Sequence, residues 1–277
     1  MQEQCDVCGG PIKKIINVNS LIDNSKGSLG ICSECDSLRV LENINYDELY
    51  ANRSSSNYSK SGIFVKAKEF FFSVGIFFLF HAQRHGEVLD YGCGSGEFSN
   101  ALYKAGFLKV HACDVQQSPP PNLRDEINYF QVDLLHPSSV YDIIILRHVL
   151  EHVVRPNDLL KTLSNHLAVG GKIIVEVPSD KGFFRKIMGG RWPGYFYPYH
   201  VHVFSESGLR KMATLSSLNV DEVKYCNTPI LGVYLMSFGI NRQLSRVASI
   251  IFYPLQSLIG LLVNKEAIRM VFSKQHE

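Results

Sequence analysis

The sequence has no excess of charge of either sign. Its 28 lysines and arginines are nearly balanced by 26 aspartates and glutamates, so the formal net charge is only +2 over 277 residues. Proteins that bind nucleic acids normally need a basic surface, because lysine and arginine make the contacts to phosphate. The charge balance therefore disfavours a nucleic acid partner.

A secretory signal is also lacking. The first residues, MQEQCDVCGG, contain no basic stretch followed by an apolar one, which is the pattern of a signal peptide. Seven cysteines in a chain without such a signal indicate free thiols or metal ligands rather than disulfides. We therefore expect a cytoplasmic protein.

Long apolar runs are scarce. Residues 70–80, FFFSVGIFFLF, are too short to cross a bilayer core of about 30 Å as a helix, and they predict a helix packed against a sheet. Residues 247–264 are eighteen uncharged residues, interrupted by Pro254 and Gly260, which weaken a helix. This second run leaves three alternatives: a helix that packs internally or in a homodimer, a segment at a membrane surface, and a membrane span.

Four of the seven cysteines form two matched pairs near the start of the chain. Cys5-x-x-Cys8 is followed after 23 residues by Cys32-x-x-Cys35. Two such turns can point four thiolates at one ion and complete a tetrahedron around a structural Zn²⁺. A redox-active Cys-x-x-Cys motif is the alternative, but it does not explain two matched pairs. We therefore predict a zinc-binding module at residues 1–50.

The rest of the chain is divided by its composition. Residues 51–62, ANRSSSNYSKSG, are polar and rich in serine and predict a linker. In residues 63–240, short apolar runs alternate with amphipathic stretches, which is typical of a parallel sheet covered by helices. Residues 241–277 are predicted to form an apolar C-terminal helical segment.

The alternating region predicts an α/β fold with a Rossmann-like, seven-stranded, mostly parallel sheet beside the small N-terminal zinc module. Strands are expected near residues 87–91, 109–114, 127–131, 141–146, 172–177, 219–225 and 230–237. Helices are expected near residues 64–83, 96–105, 156–168 and 205–217.

The segment VLDYGCGSGEF carries three glycines at alternate positions, Gly92, Gly94 and Gly96. Such a turn lets a ligand approach the backbone closely. The dinucleotide fingerprint G-x-G-x-x-G would need its third glycine where Glu97 stands, and Asp90 would repel a pyrophosphate but attract a cation. The segment therefore favours S-adenosylmethionine, which carries an ammonium and a sulfonium and has no phosphate.

The same segment resembles the first motif of class I S-adenosylmethionine-dependent methyltransferases, and further motifs follow in the family's order. The strand KVHACDV ends at Asp114, 24 residues after Asp90, and NYFQVDL contains Asp133. The segments YDIIILRHVLEH and HLAVGGKIIVEVPS resemble the fourth and fifth strands of the family. The resemblance covers residues 63–225.

This resemblance implies a cofactor site made by the carboxyl ends of the first strands. Asp114 is expected to hold both ribose hydroxyls, and Asp133 is expected near the adenine amino group. The cofactor-binding residues implied in this way are Asp90, Gly92, Gly94, Gly96, Asp114, Val115, Asp133, Leu134, Arg147 and His148.

A competing motif overlaps the end of the fourth strand. His148-x-x-Glu151-His152 matches the H-x-x-E-H pattern of inverted zinc metallopeptidases, in which two histidines one helical turn apart share a face. The motif directly follows the apolar strand YDIIIL, and the methyltransferase family carries a similar segment there. The alternative is that Arg147, His148 and Glu151 line the cleft for the cofactor and substrate, with His152 also at the acceptor.

The segment GGRWPGYFYPYHVHVFS supplies the candidate catalytic residues. It resembles the Y-x-x-H-x-x-x-F-S stretch of methyltransferases that carry an N-terminal zinc module and act on nucleotide-linked deoxysugars; Tyr197 and His200 match that stretch. The resemblance implies that His200 is the general base, although a purely structural histidine is an alternative. Trp192 and Tyr195 are candidates for stacking on a sugar or another flat acceptor.

These observations predict a methyltransferase that uses S-adenosylmethionine and structural Zn²⁺ and modifies a sugar, polysaccharide precursor or other small molecule by in-line displacement. Methylation of a nucleic acid or protein docked by the zinc module is one alternative, and a cofactor-binding scaffold without turnover is another. The apolar C-terminal segment leaves open a homodimer contact and a peripheral contact with a membrane.

Overall fold

The structure is a computed structural model, and it describes residues 4–21, 23, 25–51, 85–226, 231–252 and 265–275. The helix predicted near residues 64–83 lies outside the described residues. So do the predicted linker at 51–62, apart from its first residue, and residues 253–264 of the second apolar run.

Eleven strands and seven helices occur in the described ranges. The strands are β1 (Ile12–Asn19), β2 (Lys26–Cys32), β3 (Leu38–Val40), β4 (Glu87–Tyr91), β5 (Lys109–Asp114), β6 (Asn128–Gln131), β7 (Tyr141–Arg147), β8 (Leu167–Pro178), β9 (His202–Val203), β10 (Leu218–Cys226) and β11 (Ala267–Lys274). The helices are α1 (Tyr46–Ala51), α2 (Glu97–Lys104), α3 (Pro156–Asn165), α4 (Phe183–Met188), α5 (Glu206–Leu215), α6 (Leu231–Ser237) and α7 (Arg242–Ile251).

Seven of the strands form one sheet in the order β10-β11-β8-β7-β4-β5-β6. The five strands β8, β7, β4, β5 and β6 run parallel to one another. The strand β11 is antiparallel to both β8 and β10. Along β7, Ile144 and Leu146 enter one core cluster and Ile143 and Ile145 enter another, so both faces of the sheet are buried. The structure thus confirms the predicted Rossmann-like, mostly parallel, seven-stranded sheet.

Two predictions for the last third of the chain are wrong. Residues 230–237 are predicted to be a strand, but α6 occupies Leu231–Ser237. Residues 241–277 are predicted to form an apolar helical segment, but Ala267–Lys274 forms β11 and lies between β8 and β10. Short apolar runs have the same composition in a buried strand and a buried helix, so periodicity alone does not separate them.

The helical prediction for the C-terminal segment holds over α7. This helix exposes Leu244, Val247 and Ile251, which recur at intervals of three and four residues and therefore share one face. No helix in the described part of the chain combines the length and the apolarity needed to cross a bilayer.

The strand order reverses at β4, which lies between β5 and β7. In an open parallel sheet, the connections on the two sides of such a point leave in opposite directions, and a crevice opens at the carboxyl ends of the strands. The glycine turn follows β4, Asp114 ends β5 and Arg147 ends β7. The topology therefore brings three predicted cofactor segments to one crevice.

A second sheet, in the order β1-β2-β3-β9, contains both the cysteine-rich segment and a strand from much later in the chain. Leu38 pairs with Val203, and Arg39 pairs with His202. The strand β9 directly follows the candidate base His200. The small sheet is therefore completed by the segment that carries the predicted acceptor residues.

Candidate active site

The glycine turn has the backbone conformation that its sequence predicts. Gly92, Gly94 and Gly96 have φ angles of 76°, 55° and 76°, in the left-handed region that side chains rarely adopt. A Cβ on Gly92 would also collide with Val149, whereas a Cβ on Gly94 would meet nothing within 4 Å. The turn thus lacks a side chain at three alternate positions at the mouth of the crevice.

Asp114 fixes this turn from the neighbouring strand. Its Oδ2 accepts a hydrogen bond from the backbone N–H of Gly94 at 2.8 Å, and its Oδ1 accepts one from the N–H of Val115 at 2.8 Å. The N–H groups of Gly92 and Cys93 both donate to the carbonyl of Cys113. The predicted ribose-binding carboxylate therefore also organises the loop that is predicted to face the cofactor.

Asp90 lies beneath the turn rather than on its surface. The side chain is buried, and one carboxylate oxygen accepts a hydrogen bond from the Ser99 hydroxyl at 2.5 Å. Burial raises the pKa of Asp90 to about 6, although Ser99 and the positive charge of Arg147 act against the rise. A cation bound above the turn would favour the ionised form of this carboxyl.

The predicted adenine side of the crevice is apolar and open. Val115 follows β5 and is 60% exposed, and Leu134 lies in a short 3₁₀ turn after β6 and is 69% exposed. Asp133 precedes Leu134 in the same turn. Exposed branched side chains beside a carboxylate offer a surface for a flat ring with a polar edge.

At the end of β7, a buried carboxylate that sequence reasoning missed organises the predicted cofactor residues. Glu176 on β8 accepts two hydrogen bonds from Arg269 of β11, and its second oxygen lies 3.5 Å from the Arg147 guanidinium. These cations outweigh the effect of burial and lower the pKa of Glu176 to about 2. The lone charge in the apolar stretch IIVEVP was the sequence signal for this residue.

His148 is held against the same group of charges. Its φ is 53°, its N–H donates to the carbonyl of Glu176, and its Nδ1 lies 3.2 Å from Oε1 of Glu151. Burial acts to lower the pKa of His148, but the adjacent Glu151 carboxylate outweighs it and raises the pKa. His148 therefore lies between the predicted cofactor crevice and the predicted acceptor residues.

The H-x-x-E-H segment does not form the helix that a metallopeptidase reading requires. Leu150–His152 is a single 3₁₀ turn, and His148 lies outside it in the left-handed region. His148 and His152 are therefore not stacked on one α-helical face, and the competing interpretation loses its structural basis.

A different grouping forms instead, between this turn and the aromatic segment at 189–201. Among the described residues, Glu151, His152 and His200 bring one potential ligand atom each within 4.8 Å of one another. The rings of His152 and His200 meet edge to face, with centroids 4.6 Å apart. Burial, followed by the charge of His152, lowers the pKa of His200 to about 3.

The aromatic residues predicted to contact the acceptor are largely enclosed. Trp192 is 2% exposed and donates from Nε1 to Glu266, and Tyr195 accepts a hydrogen bond from Arg185 at 2.9 Å. The ring of Tyr197 lies directly against Gly27 of β2. In this arrangement, these rings pack the segment against its surroundings. Their stacking on an acceptor stays a prediction.

The four paired cysteines converge as their spacing predicts. Sγ of Cys5 lies 3.7 Å from Sγ of Cys35, and Sγ of Cys8 lies 3.5 Å from that of Cys32. Two thiolates at tetrahedral positions, each about 2.3 Å from one ion, would be about 3.8 Å apart. The distances therefore fit the predicted zinc site.

Comparison with known proteins agrees with this architecture. A family model described as "Methyltransferase domain" matches residues 66–223. The ubiquinone biosynthesis O-methyltransferase of Rickettsia felis is 26% identical over 153 residues, covering 50% of this chain and 62% of that protein. The enzyme of the same name from Coxiella burnetii (strain Dugway 5J108-111) is 28% identical over 130 residues, covering 43% of this chain and 56% of that one.

Solved structures show the same fold at low sequence identity. An S-adenosylmethionine-dependent methyltransferase from Archaeoglobus fulgidus has a TM-score of 0.50 at 17% identity and covers 83% of this chain and 100% of that one. The 1,6-didemethyltoxoflavin-N1-methyltransferase of Burkholderia thailandensis, solved with S-adenosylhomocysteine, has a TM-score of 0.52 at 14% identity and covers 92% and 98%. The chain spans less than two thirds of the length of the curated relatives named above.

Proposed function

Because the chain belongs to the methyltransferase domain family, we propose that it transfers a methyl group from S-adenosylmethionine to a small-molecule acceptor. The observation that carries the proposal is the turn with glycine at alternate positions, Gly92, Gly94 and Gly96, held by Asp114 at the crevice between β4 and β5. A helix N-terminus that receives phosphate would present free N–H groups. Here the N–H of Gly94 is already bonded to a carboxylate, which favours a cofactor without phosphate.

The charges around the turn suit the two cationic groups of S-adenosylmethionine. Asp90 and Asp114 flank the turn, and a positive ligand there would recover part of the cost of burying Asp90. The relative from Burkholderia thailandensis was solved with S-adenosylhomocysteine, the demethylated form of this cofactor. Its likeness supports the proposal through the fold it shares with this chain.

We propose that the acceptor enters from the side of β7 and the 189–201 segment. Methyl transfer is an in-line displacement, so the nucleophile must approach the methyl carbon opposite the sulfur and needs close alignment. His148, Glu151 and His200 lie together on that side of the site. These residues would orient the acceptor, whereas the glycine turn and Asp114 hold the donor.

For the acceptor atom, we propose a hydroxyl oxygen. The named relatives from Rickettsia felis and Coxiella burnetii are O-methyltransferases of ubiquinone biosynthesis, and their names support an oxygen acceptor on a small molecule. The segment around Tyr197 and His200 resembles a stretch of methyltransferases that act on nucleotide-linked deoxysugars. This resemblance supports a sugar hydroxyl instead of a phenol. Both acceptors share the chemistry of a hydroxyl that must lose its proton.

His200 is better suited to positioning that hydroxyl than to removing its proton alone. General-base catalysis is most effective when the pKa of the base lies near the working pH. Burial lowers the pKa of His200 to about 3, so the free imidazole is a weak base near neutrality. We therefore propose that His200 acts together with Glu151, its buried neighbour.

We also propose that Cys5, Cys8, Cys32 and Cys35 hold a structural Zn²⁺ in the module at residues 1–50. Four protein thiolates fill a tetrahedral site, so this ion would have no open position for chemistry. Its contribution is folding free energy. Because β9 completes the module's sheet, that stability would extend to the acceptor segment.

We propose that the exposed apolar face of α7 makes a peripheral contact with a membrane surface. Leu244, Val247 and Ile251 on this face are more than half exposed, and Phe252 follows them. Such a face can enter the headgroup region of a bilayer without spanning it. In a flotation assay with anionic vesicles, the wild-type protein should float with the vesicles. A Leu244→Gln, Val247→Gln, Ile251→Gln variant should stay behind. If the variant floats equally well, the face does not contact the membrane. If light scattering shows a homodimer that is lost in the variant, the face is a dimer contact.

The proposed function is tested with methyl-labelled S-adenosylmethionine and two acceptor panels, one of phenols and catechols and one of nucleotide sugars. We expect label in an ether product from one panel, and the panel that reacts decides between phenol and sugar. Calorimetry measures cofactor binding separately. Absence of S-adenosylmethionine binding would remove the proposal, whereas binding without transfer to either panel would favour a scaffold.

A further inference from the structure

Three side chains from two separate segments converge beside the proposed acceptor site. Glu151 and His152 belong to the 3₁₀ turn after β7, and His200 comes from the segment before β9. A potential ligand atom of each lies within 4.8 Å of the other two. The group shares no residue with the four-cysteine cluster, so it is a separate feature of the fold.

Both histidines are oriented through one ring nitrogen. Nδ1 of His152 lies 3.0 Å from the carbonyl of Tyr199, and Nδ1 of His200 lies 2.8 Å from the carbonyl of Gly194. A carbonyl only accepts, so each Nδ1 is the donor, and a neutral ring held in this way has its lone pair on Nε2. Metal-binding histidines are held in this way, with the second ring nitrogen bonded to a backbone carbonyl or carboxylate.

The Glu151 carboxylate supplies an independent observation. The side chain is completely buried, and its Oε2 has no hydrogen-bond partner within the described parts of the chain. Its Oε1 faces Nδ1 of His148 at 3.2 Å and Nε2 of His200 at 4.0 Å, and the second distance is too long for a hydrogen bond. A buried carboxylate oxygen without a partner is costly, and a bound cation removes that cost.

We propose that Glu151, His152 and His200 bind a divalent transition-metal ion. Two imidazoles and one carboxylate suit Zn²⁺, Fe²⁺, Co²⁺ or Mn²⁺ better than Ca²⁺ or Mg²⁺, which prefer oxygen ligands alone. Ligands about 2.1 Å from one ion are at most about 4.2 Å apart. The three ligand atoms lie within 4.8 Å of one another, so each needs to move by less than about 1 Å to bind one ion.

Three protein ligands leave coordination positions open, and an acceptor hydroxyl is the ligand that the location favours. This role rests on the proposed function. A hydroxyl bound to a divalent ion loses its proton to solvent more readily. The oxygen then forms a bond to the methyl carbon while the carbon–sulfur bond breaks, and the electron pair of that bond stays on sulfur as a neutral thioether.

The test uses full-length protein whose cysteine site is first filled with Zn²⁺, followed by dialysis against a weak chelator. Titration with Co²⁺ is followed by calorimetry and by the visible absorption of the ion. We expect one further equivalent to bind, with d–d bands but without the intense near-ultraviolet bands of cobalt–thiolate bonds. Glu151→Gln and His200→Gln should each lower the affinity roughly tenfold or more.

His166→Gln is the matched control. His166 is also a buried histidine whose Nδ1 lies 2.8 Å from a backbone carbonyl, that of Ser139, but it lies outside the cluster. Its variant should bind the second equivalent as the wild type does. Circular dichroism and retention of one Zn²⁺ per chain show that each variant is folded.

Binding of no further Co²⁺ by the wild type would overturn the site, and so would unchanged binding by folded Glu151→Gln and His200→Gln. The proposed function fails differently. Labelled methyl transfer that continues without a second ion would leave the function and remove the ion's role in it. A second ion bound by a protein that transfers no methyl group would leave the metal site and remove the function.

Discussion

The hydroxyl of Ser205 donates a hydrogen bond to the backbone carbonyl of Cys35, across 170 residues of sequence. The N–H of Ser205 in turn donates to the hydroxyl of Ser37. Together with the pairing of Arg39 and His202, these bonds join the cysteine cluster to the segment that carries His200. The cysteine module and the proposed acceptor side of the site are therefore parts of one structural unit.

Ser205→Ala should destabilise the protein by about 1–2 kcal/mol. The hydroxyl also caps α5 by accepting a hydrogen bond from the N–H of Gly208 at 2.9 Å, and loss of such a cap typically costs about 1 kcal/mol. Loss of the buried bond to Cys35 adds to that cost. Urea denaturation measures the change, and the exposed neighbour Ser207→Ala is the control, with an expected change below about 0.5 kcal/mol.

Loss of one cysteine ligand should unfold the N-terminal sheet and abolish methyl transfer. Cys32→Ser leaves three thiolates, and binding of structural zinc contributes directly to folding. Metal analysis should show less than one Zn²⁺ per chain, and calorimetry should show a lower Tm. Cys226→Ser, which lies outside the cluster on β10, should keep both the metal and the Tm. Wild-type turnover in a Cys32→Ser protein would show that methyl transfer does not depend on the metal.

The glycine turn could be predicted from the sequence because its requirement is local. A backbone with positive φ strongly favours glycine, so Gly92, Gly94 and Gly96 indicate the turn directly. The parallel strands β4 to β8 could be predicted for a similar reason, because buried parallel strands are short apolar runs at regular intervals.

The partners of the buried charges could not be predicted, because they depend on tertiary placement. Glu176 is neutralised by Arg269 from β11, and β11 is an antiparallel strand in a segment whose preceding apolar run favours a helix. Glu151 and His200 are 49 residues apart and meet only because β9 closes the small sheet. Sequence spacing suggested His148 and His152 as the pair, since i and i+4 residues are neighbours in a helix.

Gly94→Ala should reduce cofactor affinity at least roughly tenfold while the protein stays folded. A Cβ there meets no protein atom within 4 Å, so it would project from the bare turn into the space proposed for the cofactor. The φ of 55° adds backbone strain of about 1 kcal/mol. Gly170→Ala is a matched control, because its φ is 76° and it too meets nothing within 4 Å. Calorimetric titration with S-adenosylmethionine should separate the two variants, and equal losses in both would assign the effect to strain.

Affinity for S-adenosylmethionine should rise as the pH increases through about 6. Burial raises the pKa of Asp90 to about 6, against Ser99 and Arg147, while Asp114 adds to the rise. Below that pH the carboxyl is neutral and attracts a cation weakly, and above it the charge is present. The raised pKa also means that Asp90 costs folding stability once the pH exceeds the unfolded value of about 4. Asp90→Asn should bind more weakly, and a pH dependence that persists in this variant would exclude Asp90 as its source.

His200→Ala should leave cofactor affinity within about twofold of the wild type and reduce turnover at least roughly a hundredfold. The imidazole contacts Glu151 and His152, not the glycine turn, so the donor side of the site should not change. Calorimetry with S-adenosylmethionine measures the first quantity, and label transfer to the reacting acceptor measures the second. His202→Asn is the comparison, because His202 is also buried but lies on β9 against Asp6, away from the cluster. The His202→Asn variant should have a changed Tm, whereas its turnover should change less at a temperature where the variant is folded. Wild-type turnover in a folded His200→Ala protein would remove His200 from the acceptor site, whichever ligand Glu151 holds.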